Sequence, residues 1–207
     1  MDPFRIETGI AALLPAANVN TDVIMPKQFL RGVTRDGLAR GVFYDLRFDE
    51  DGNERSDFIL NRPEFRGTRF LVVGPNFGCG SSREHAVWGL KQFGIRSIIG
   101  TTYGIIFYDN CFQNGLLPIS LAGEDYELLQ RHCREVEPAH LTVDLVECGI
   151  SGPWGRIAID VAPMMRERLL EGLDSIGATL KAEAEIRAFE SRYLAEVPWV
   201  RAERETR

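Results

Sequence analysis

Three short apolar runs, each separated from the next by an amphipathic stretch, constrain the fold of this 207-residue chain most strongly. The runs cover residues 70–73, 95–100 and 116–119. The stretches between them, over 82–93 and 104–114, carry apolar residues at helical spacing and end at glycines. Short buried strands that alternate with helices form a parallel sheet with right-handed crossovers. The spacing therefore predicts an α/β fold with a parallel β-α-β-α-β core.

Strands and helices are also predicted around this core. Strand material is expected over residues 4–14, and alternation in 141–146 and 155–161 predicts a β-hairpin across 149–152. Further helices are expected over residues 38–48, 123–133, 164–170 and 179–195. With no internal repeat and no low-complexity linker, residues 1–207 are expected to form a single domain whose tail frays from about residue 196.

Composition excludes several classes of partner. A net charge of −6 argues against nucleic acid or an anionic membrane as the main partner. The absence of a signal-peptide pattern or a long apolar run predicts a cytoplasmic protein without a membrane span. The cysteines are scattered without a C-x-x-C pair, so we expect no disulfide and no metal site made by this chain alone. They are Cys79, Cys111, Cys133 and Cys148, of which the last three are expected to be core residues.

The richest chemistry lies in the turn between the first predicted core strand and its helix. Residues 76–85 read NFGCGSSREH and hold two hydroxyls, a thiol, a guanidinium, a carboxylate and an imidazole. A helix N-terminus presents unpaired N–H groups and a partial positive charge, which suit an anion. The turn is therefore a candidate binding site for a small acid.

Competing motifs fit this turn poorly. A dinucleotide fingerprint needs a third glycine where Arg83 stands, and neither a P-loop lysine nor a G-x-S-x-G nucleophile elbow is present. A Cys79 nucleophile with His85 as its base is conceivable, but nothing in the sequence brings the two together. A structural alternative stays open, because Ser81 and Glu84 satisfy the S-x-x-E pattern of a helix capping box.

Four stretches in sequence order resemble one known family. Residues 78–86, GCGSSREHA, resemble the G-x-G-S-S-R-E-H-A signature of the swivelling domain of the aconitase superfamily. Residues 18–30, 106–118 and 171–180 are similar to the opening, middle and closing motifs of the bacterial 3-isopropylmalate dehydratase small subunits. The resemblance runs from about residue 10 to about residue 190, and it implies a swivelling β/β/α domain.

This resemblance implies half of a hydro-lyase. The family isomerises 2-isopropylmalate to 3-isopropylmalate in leucine biosynthesis, by removing water and adding it back in a shifted position. The implied partner is a large subunit that carries a [4Fe–4S] cluster, in a heterodimer or a larger assembly, while this chain binds no cofactor and is inactive alone. Two alternatives stay open: a related dehydratase acting on homoaconitate, citraconate or dimethylmalate, and a stand-alone regulatory module that senses an anion.

The same resemblance assigns roles within the turn. Ser81 is implied to be the base, acting as an alkoxide, and Ser82 and Arg83 are implied to bind a substrate carboxylate. The glycine turn, the helix N-terminus and the guanidinium are the groups able to stabilise the anion. The supporting residues of the turn are expected to be Gly78, Cys79, Gly80 and His85.

Further implied residues lie upstream of this turn. A second arginine is expected to bind the substrate, with Arg35 preferred over Arg31, and residues 29–35 match the loop that senses the side group of the substrate. Asp22 matches a carboxylate that orients a histidine of the partner, although its other interpretation is a turn-forming residue. Asn20 stands where the family usually has aspartate, which affects the expected identity of the diacid more than that of the reaction.

Overall fold

The predicted parallel core is present and belongs to a larger mixed sheet. A computed structural model describes residues 1–30, 36–81 and 83–200. Within these residues, seven strands form one sheet in the order β4-β3-β2-β1-β5-β6-β7. The strands are β1 (Ile6–Leu14), β2 (Phe70–Val73), β3 (Ser97–Gly100), β4 (Leu117–Ser120), β5 (Ala139–Asp144), β6 (Gly149–Gly152) and β7 (Gly155–Ala158). Strands β1 to β4 pair in parallel, and β5 to β7 add antiparallel pairs beyond β1.

Helices follow the parallel strands, as the spacing predicts. Those up to residue 172 are α1 (Thr21–Ile24), α2 (Tyr44–Arg47), α3 (Glu84–Phe93), α4 (Ile105–Gln113), α5 (Gly123–Glu135) and α6 (Pro163–Glu171). Short 3-10 turns occupy Lys27–Leu30, Leu38–Gly41, Ile59–Asn61 and Pro63–Phe65. The single helix expected over 38–48 is therefore wrong, since a 3-10 turn and the separate α2 stand there.

Alternation along β2 shows why the sheet is buried on both faces. Phe70 and Val72 belong to one apolar cluster, which also contains residues of β5 to β7, α5 and α6. Leu71 and Val73 belong to a second cluster, built with α3 and α4. All four side chains are fully buried, as parallel strands covered on both faces require.

Two of the expected boundaries outside the core are wrong. The hairpin expected across residues 149–152 is a three-stranded meander, because those residues form β6 with its own partners. Ile150 is buried and lies between Val143 of β5 and Ile157 of β7, so the flanking glycines bound a strand. The helix expected over 179–195 is also wrong, because two helices stand there, α7 (Ser175–Leu180) and α8 (Glu183–Glu196).

By their contacts the residues form two units, Met1–Gly172 and Leu173–Arg207. In the second unit, the Asp174 side chain accepts a hydrogen bond from the Gly177 N–H at 2.7 Å and caps α7. On α8, Arg187 pairs with Glu183 one turn earlier, and the Phe189 and Tyr193 rings stack. The expectation of one domain over residues 1–207 stays a prediction, and the tail after residue 200 lies outside the described residues.

Candidate active site

The turn that follows β2 requires glycine at two positions. Gly78 and Gly80 have φ values of 71° and 90°, in the left-handed region. A Cβ on Gly78 would lie 2.2 Å from the ring of Phe107, so the turn passes directly against that buried ring. This path leaves Cys79 half-buried and Ser81 exposed.

An open cavity of about 520 Å³ lies beside this turn. Its walls come from the turn after β2 and from the turn after the neighbouring parallel strand β3, together with the start of α4. The lining residues are Asn76, Gly78, Cys79, Gly80 and Ser81 from the first turn, Tyr103 and Gly104 from the second, and Ile105, Ile106 and Phe107 from α4. Ligands of open α/β sheets bind outside the carboxyl ends of the strands, and this cavity has that location.

Arg83 brings a positive charge to the end of the glycine turn. It is the residue before α3, and its guanidinium forms an ion pair with Asp22 of α1. The Arg83 side chain is mostly buried, whereas the Asp22 side chain is about two-fifths exposed. The pair therefore joins the start of α3 to α1.

The capping box that the sequence allows does not form. The N-cap position of α3 is Arg83, two residues after Ser81, and no side chain caps it. The Glu84 carboxylate accepts a hydrogen bond from the Asn114 side-chain amide at 2.7 Å, at the end of α4. The expected helix start at residue 82 is wrong for the same reason, since α3 begins at Glu84. Ser81 is therefore not the N-cap residue of this helix.

Tyr103 has a structural role in the wall of the cavity. Its hydroxyl lies 2.6 Å from the carbonyl oxygen of Ile119 and 2.9 Å from that of Ile98, so its one proton is donated within the sheet. Removal from water raises the pKa of the Tyr103 hydroxyl well above its usual range, and proximity to Cys111 adds to this effect. Tyr103 therefore stays protonated at neutral pH and is a poor candidate for the base.

The cysteines do not form a metal site in the described part of the chain. None of the four is paired in a disulfide there. Cys111 and Cys133 are buried as expected, and Cys148 is half-buried and packs against the core. Burial raises the pKa of the Cys133 thiol to about 12. In residues 1–30, 36–81 and 83–200, no group of three or more histidine, cysteine or acidic side chains is arranged to hold a metal ion. These residues do not fit an iron–sulfur cluster.

Two family models match the sequence. The model described as the aconitase C-terminal domain matches residues 1–124, which include the whole glycine turn. The model described as the C-terminal domain of the 3-isopropylmalate dehydratase small subunit matches residues 175–203. The two matches together agree with the motifs found along the chain.

Curated relatives resemble the chain over nearly its full length. The 3-isopropylmalate dehydratase small subunit 1 of Mannheimia succiniciproducens is 50% identical over 97% of this chain and 100% of its own length. The small subunit of Parvibaculum lavamentivorans is 49% identical with the same coverage. This chain belongs to the family of 3-isopropylmalate dehydratase small subunits.

A solved structure supports the fold of this family member. The 3-isopropylmalate dehydratase structure from Methanocaldococcus jannaschii superposes with a TM-score of 0.65 at 25% identity, covering 89% of this chain and 99% of that one. The expected fold, an aconitase-type swivelling domain of the α/β class, is thereby confirmed. In the described residues, no helix is both long enough and apolar enough to cross a membrane.

The structure brings part of the predicted site together. Ser81, Gly78, Cys79 and Gly80 line the cavity, and Arg83 follows at the end of the turn. His85 lies in the first turn of α3, where its ring packs 4.7 Å from that of Trp88. Three other residues expected in the site lie outside the described part of the chain: Ser82, Arg31 and Arg35. The roles assigned to all these residues stay predictions.

Sequence reasoning missed several residues of the site. Thr21 is buried and donates a hydrogen bond to the Ser81 carbonyl, and Ile105 and Ile106 line the cavity although they are 81% and 50% exposed. From the sequence, Ile105 and Ile106 could be recognised only as apolar residues of a helix. The residues that face them across the cavity follow a different strand, so no local pattern places them in one site. Apart from its place in a motif, nothing in the sequence indicates that Thr21 belongs to the site, since its hydrogen-bond partner Ser81 is 60 residues away.

Proposed function

We propose that this chain is the small subunit of a hydro-lyase that isomerises 2-isopropylmalate to 3-isopropylmalate in leucine biosynthesis. The observation that carries the proposal is the exposed Ser81 in an open cavity, on a glycine turn that ends at Arg83. The names of relatives that are 48–50% identical over nearly the whole chain support the same reaction. A cytoplasmic location belongs to this proposal.

The reaction sets three chemical requirements. A base must take a weakly acidic C–H proton, cations must hold two carboxylates, and a Lewis acid must take the departing hydroxyl. In the proposal, Ser81 supplies the base, and Arg83 with Ser82 holds one carboxylate. Arg35 or Arg31 contributes the second cation. A guanidinium suits this task because it can grip a carboxylate with two parallel hydrogen bonds.

Ser81 needs a partner subunit before it can act as a base. A serine hydroxyl ionises far above neutral pH in water, and Ser81 is exposed in this chain. A large subunit that covers the cavity would remove water and strengthen the attraction between an alkoxide and the nearby positive groups. We therefore infer that activity requires a heterodimer or a larger assembly with the large subunit.

The Lewis acid is proposed to come from that large subunit. The described residues of this chain do not fit a [4Fe–4S] cluster, since their cysteines are scattered and form no group able to bind metal. The contribution of this chain is to hold the diacid and to move its proton at the Ser81 hydroxyl.

Reconstitution tests this proposal. The purified chain is mixed with a cluster-loaded large subunit of the same family, and hydration of the unsaturated intermediate is followed by its ultraviolet absorbance. We expect turnover of isopropylmalate from the mixture only, and neither subunit should be active alone. Homoaconitate, citraconate and dimethylmalate are assayed in parallel, and a clear preference for one of them would correct the substrate.

A second measurement addresses the regulatory alternative. Calorimetry on the isolated chain should show weak binding of a diacid or none, because half of the proposed site is missing. Tight binding to the chain alone, together with an inactive mixture, would favour an anion-sensing module and contradict the proposal.

A further inference from the structure

The segment before α1 lies along the reactive turn and hydrogen-bonds to it in register. The Asn18 N–H donates to the Pro75 carbonyl at 2.9 Å, and the Gly78 N–H donates to the Val19 carbonyl at 2.7 Å. Asn20 and Cys79 pair as an isolated parallel bridge. The turn is therefore held by a chain segment about sixty residues earlier in the sequence, as well as by its own strand.

The first residue of α1, Thr21, is the one that hydrogen-bonds to Ser81 itself. Its backbone N–H donates to the Cys79 carbonyl at 2.9 Å, and its hydroxyl donates to the Ser81 carbonyl at 2.8 Å. Thr21 is only 2% exposed, whereas Ser81 lies at the surface of the cavity. The buried Thr21 thus holds the turn through two hydrogen bonds, to the carbonyls of Cys79 and Ser81.

We propose that Thr21 is a positioning residue for Ser81: its hydroxyl fixes the Ser81 carbonyl and thereby aims the Ser81 side chain into the cavity. This inference rests on the proposed function, in which Ser81 is the base.

The glycines of the turn explain why its backbone needs hydrogen bonds from another segment to keep one conformation. Gly78 and Gly80 restrict the backbone least of all residues, so the turn itself does little to select one conformation. Fixing the Ser81 carbonyl restricts the backbone rotation next to its Cα, and with it the direction in which the Cα–Cβ bond leaves the turn. A displacement of about 1 Å at a reacting group can lower a rate on the order of 10²-fold.

The next residue, Asp22, also contacts the end of the glycine turn. Its ion pair with Arg83 holds the cation that follows Ser81, just as Thr21 holds Ser81. Neighbouring residues of one segment therefore fix both the proposed base and the proposed carboxylate-binding group.

Thr68 provides a matched control at the other end of β2. It is 1% exposed, and its hydroxyl donates to the Phe65 carbonyl at 2.6 Å. At both sites, a Thr→Val change removes from a buried threonine the hydroxyl that donates to a backbone carbonyl. Any general loss of stability should therefore be similar in the two variants, while an effect on Ser81 should appear in one only.

The experiment uses the reconstituted complex with Thr21→Val, Thr21→Ser and Thr68→Val, measured beside the wild type. We expect Thr21→Val to lower kcat on the order of 10- to 10²-fold with KM nearly unchanged. Thr21→Ser keeps the hydroxyl and should restore most of kcat. Thr68→Val should keep the wild-type kcat, while its Tm falls about as much as that of Thr21→Val.

Two results would overturn the proposal: a wild-type kcat in Thr21→Val, or an equal loss of kcat in Thr68→Val. Thr21→Ala repeats the test if the valine variant does not fold, and failure of both to fold would make Thr21 a structural residue only. An inactive wild-type complex would refute the proposed function itself, whereas an active wild type with an active Thr21→Val refutes the positioning role alone.

Discussion

The two ends of β2 carry similar residues in different surroundings. At the amino end, Gly67 has a φ of 77° and the Thr68 hydroxyl bonds a carbonyl three residues earlier. At the carboxyl end, Gly78 has a φ of 71° and the hydroxyl that bonds Ser81 belongs to Thr21, which is 60 residues away. Local contacts thus shape the amino end, whereas a distant segment shapes the end that holds the candidate site.

Charges at the two ends differ in the same way. At the amino end, Glu7 accepts hydrogen bonds from Arg69 at 3.0 Å and Arg96 at 2.9 Å, beside a cavity of about 350 Å³. At the carboxyl end, one arginine, Arg83, pairs with the more exposed carboxylate of Asp22. Two cations that share one carboxylate tie β1 to the residues just before β2 and β3, while the Arg83 pair stands next to an exposed serine and an open cavity. The comparison indicates a structural end and a reactive end.

The largest expected difference between the two ends concerns substrate binding. In the reconstituted complex, Arg83→Ala should raise KM for the diacid on the order of 10- to 10²-fold, because a charge-assisted hydrogen bond is worth about 1.5–3 kcal/mol. Arg69→Ala removes an arginine of the other end and should leave KM near the wild-type value. Steady-state kinetics on both complexes measures this, and equal KM values in the two variants would refute the distinction.

A smaller difference is expected in stability when the two glycines are changed. Gly78→Ala places a Cβ 2.2 Å from the Phe107 ring in a left-handed conformation, so it should cost about 2–5 kcal/mol of unfolding free energy. Gly67→Ala has the same backbone problem, but nothing lies within 4 Å of its Cβ, so about 1–2 kcal/mol is expected.

Urea unfolding of the isolated chain measures both losses. The Gly67 variant should also keep full activity in the complex. Equal losses of stability would show that the Phe107 ring moves aside freely, and the close approach at Gly78 would then not define the turn.

The sequence predicted the core well because its signal is local. Residues 70–73 form β2 as expected, β3 lies within the predicted run 95–100, and β4 extends one residue beyond the run 116–119, since short apolar runs report burial on both faces. Ile150 was missed because its single apolar side chain lies between glycines, and only its pairing with two neighbouring strands makes it a strand residue.

The candidate site was predictable in composition but not in geometry. The turn and its serine were readable from residue types, and the resemblance added roles that stay predictions. The sequence equally allowed Ser81 to cap α3, and only the observed helix start at Glu84 excludes that. The Thr21 hydrogen bond and the Asp22 ion pair depend on the packing of distant segments, which no local pattern encodes.

Turnover by a Ser81→Ala complex tests the central claim most directly. Ser120→Ala is its matched control, because Ser120 is also exposed but ends β4 instead of lining the cavity. Both variants should bind the large subunit as the wild type does. If Ser81 is the base, kcat of Ser81→Ala should fall on the order of 10²- to 10⁴-fold while Ser120→Ala keeps its rate. A near-normal kcat in the assembled Ser81→Ala complex would contradict the account.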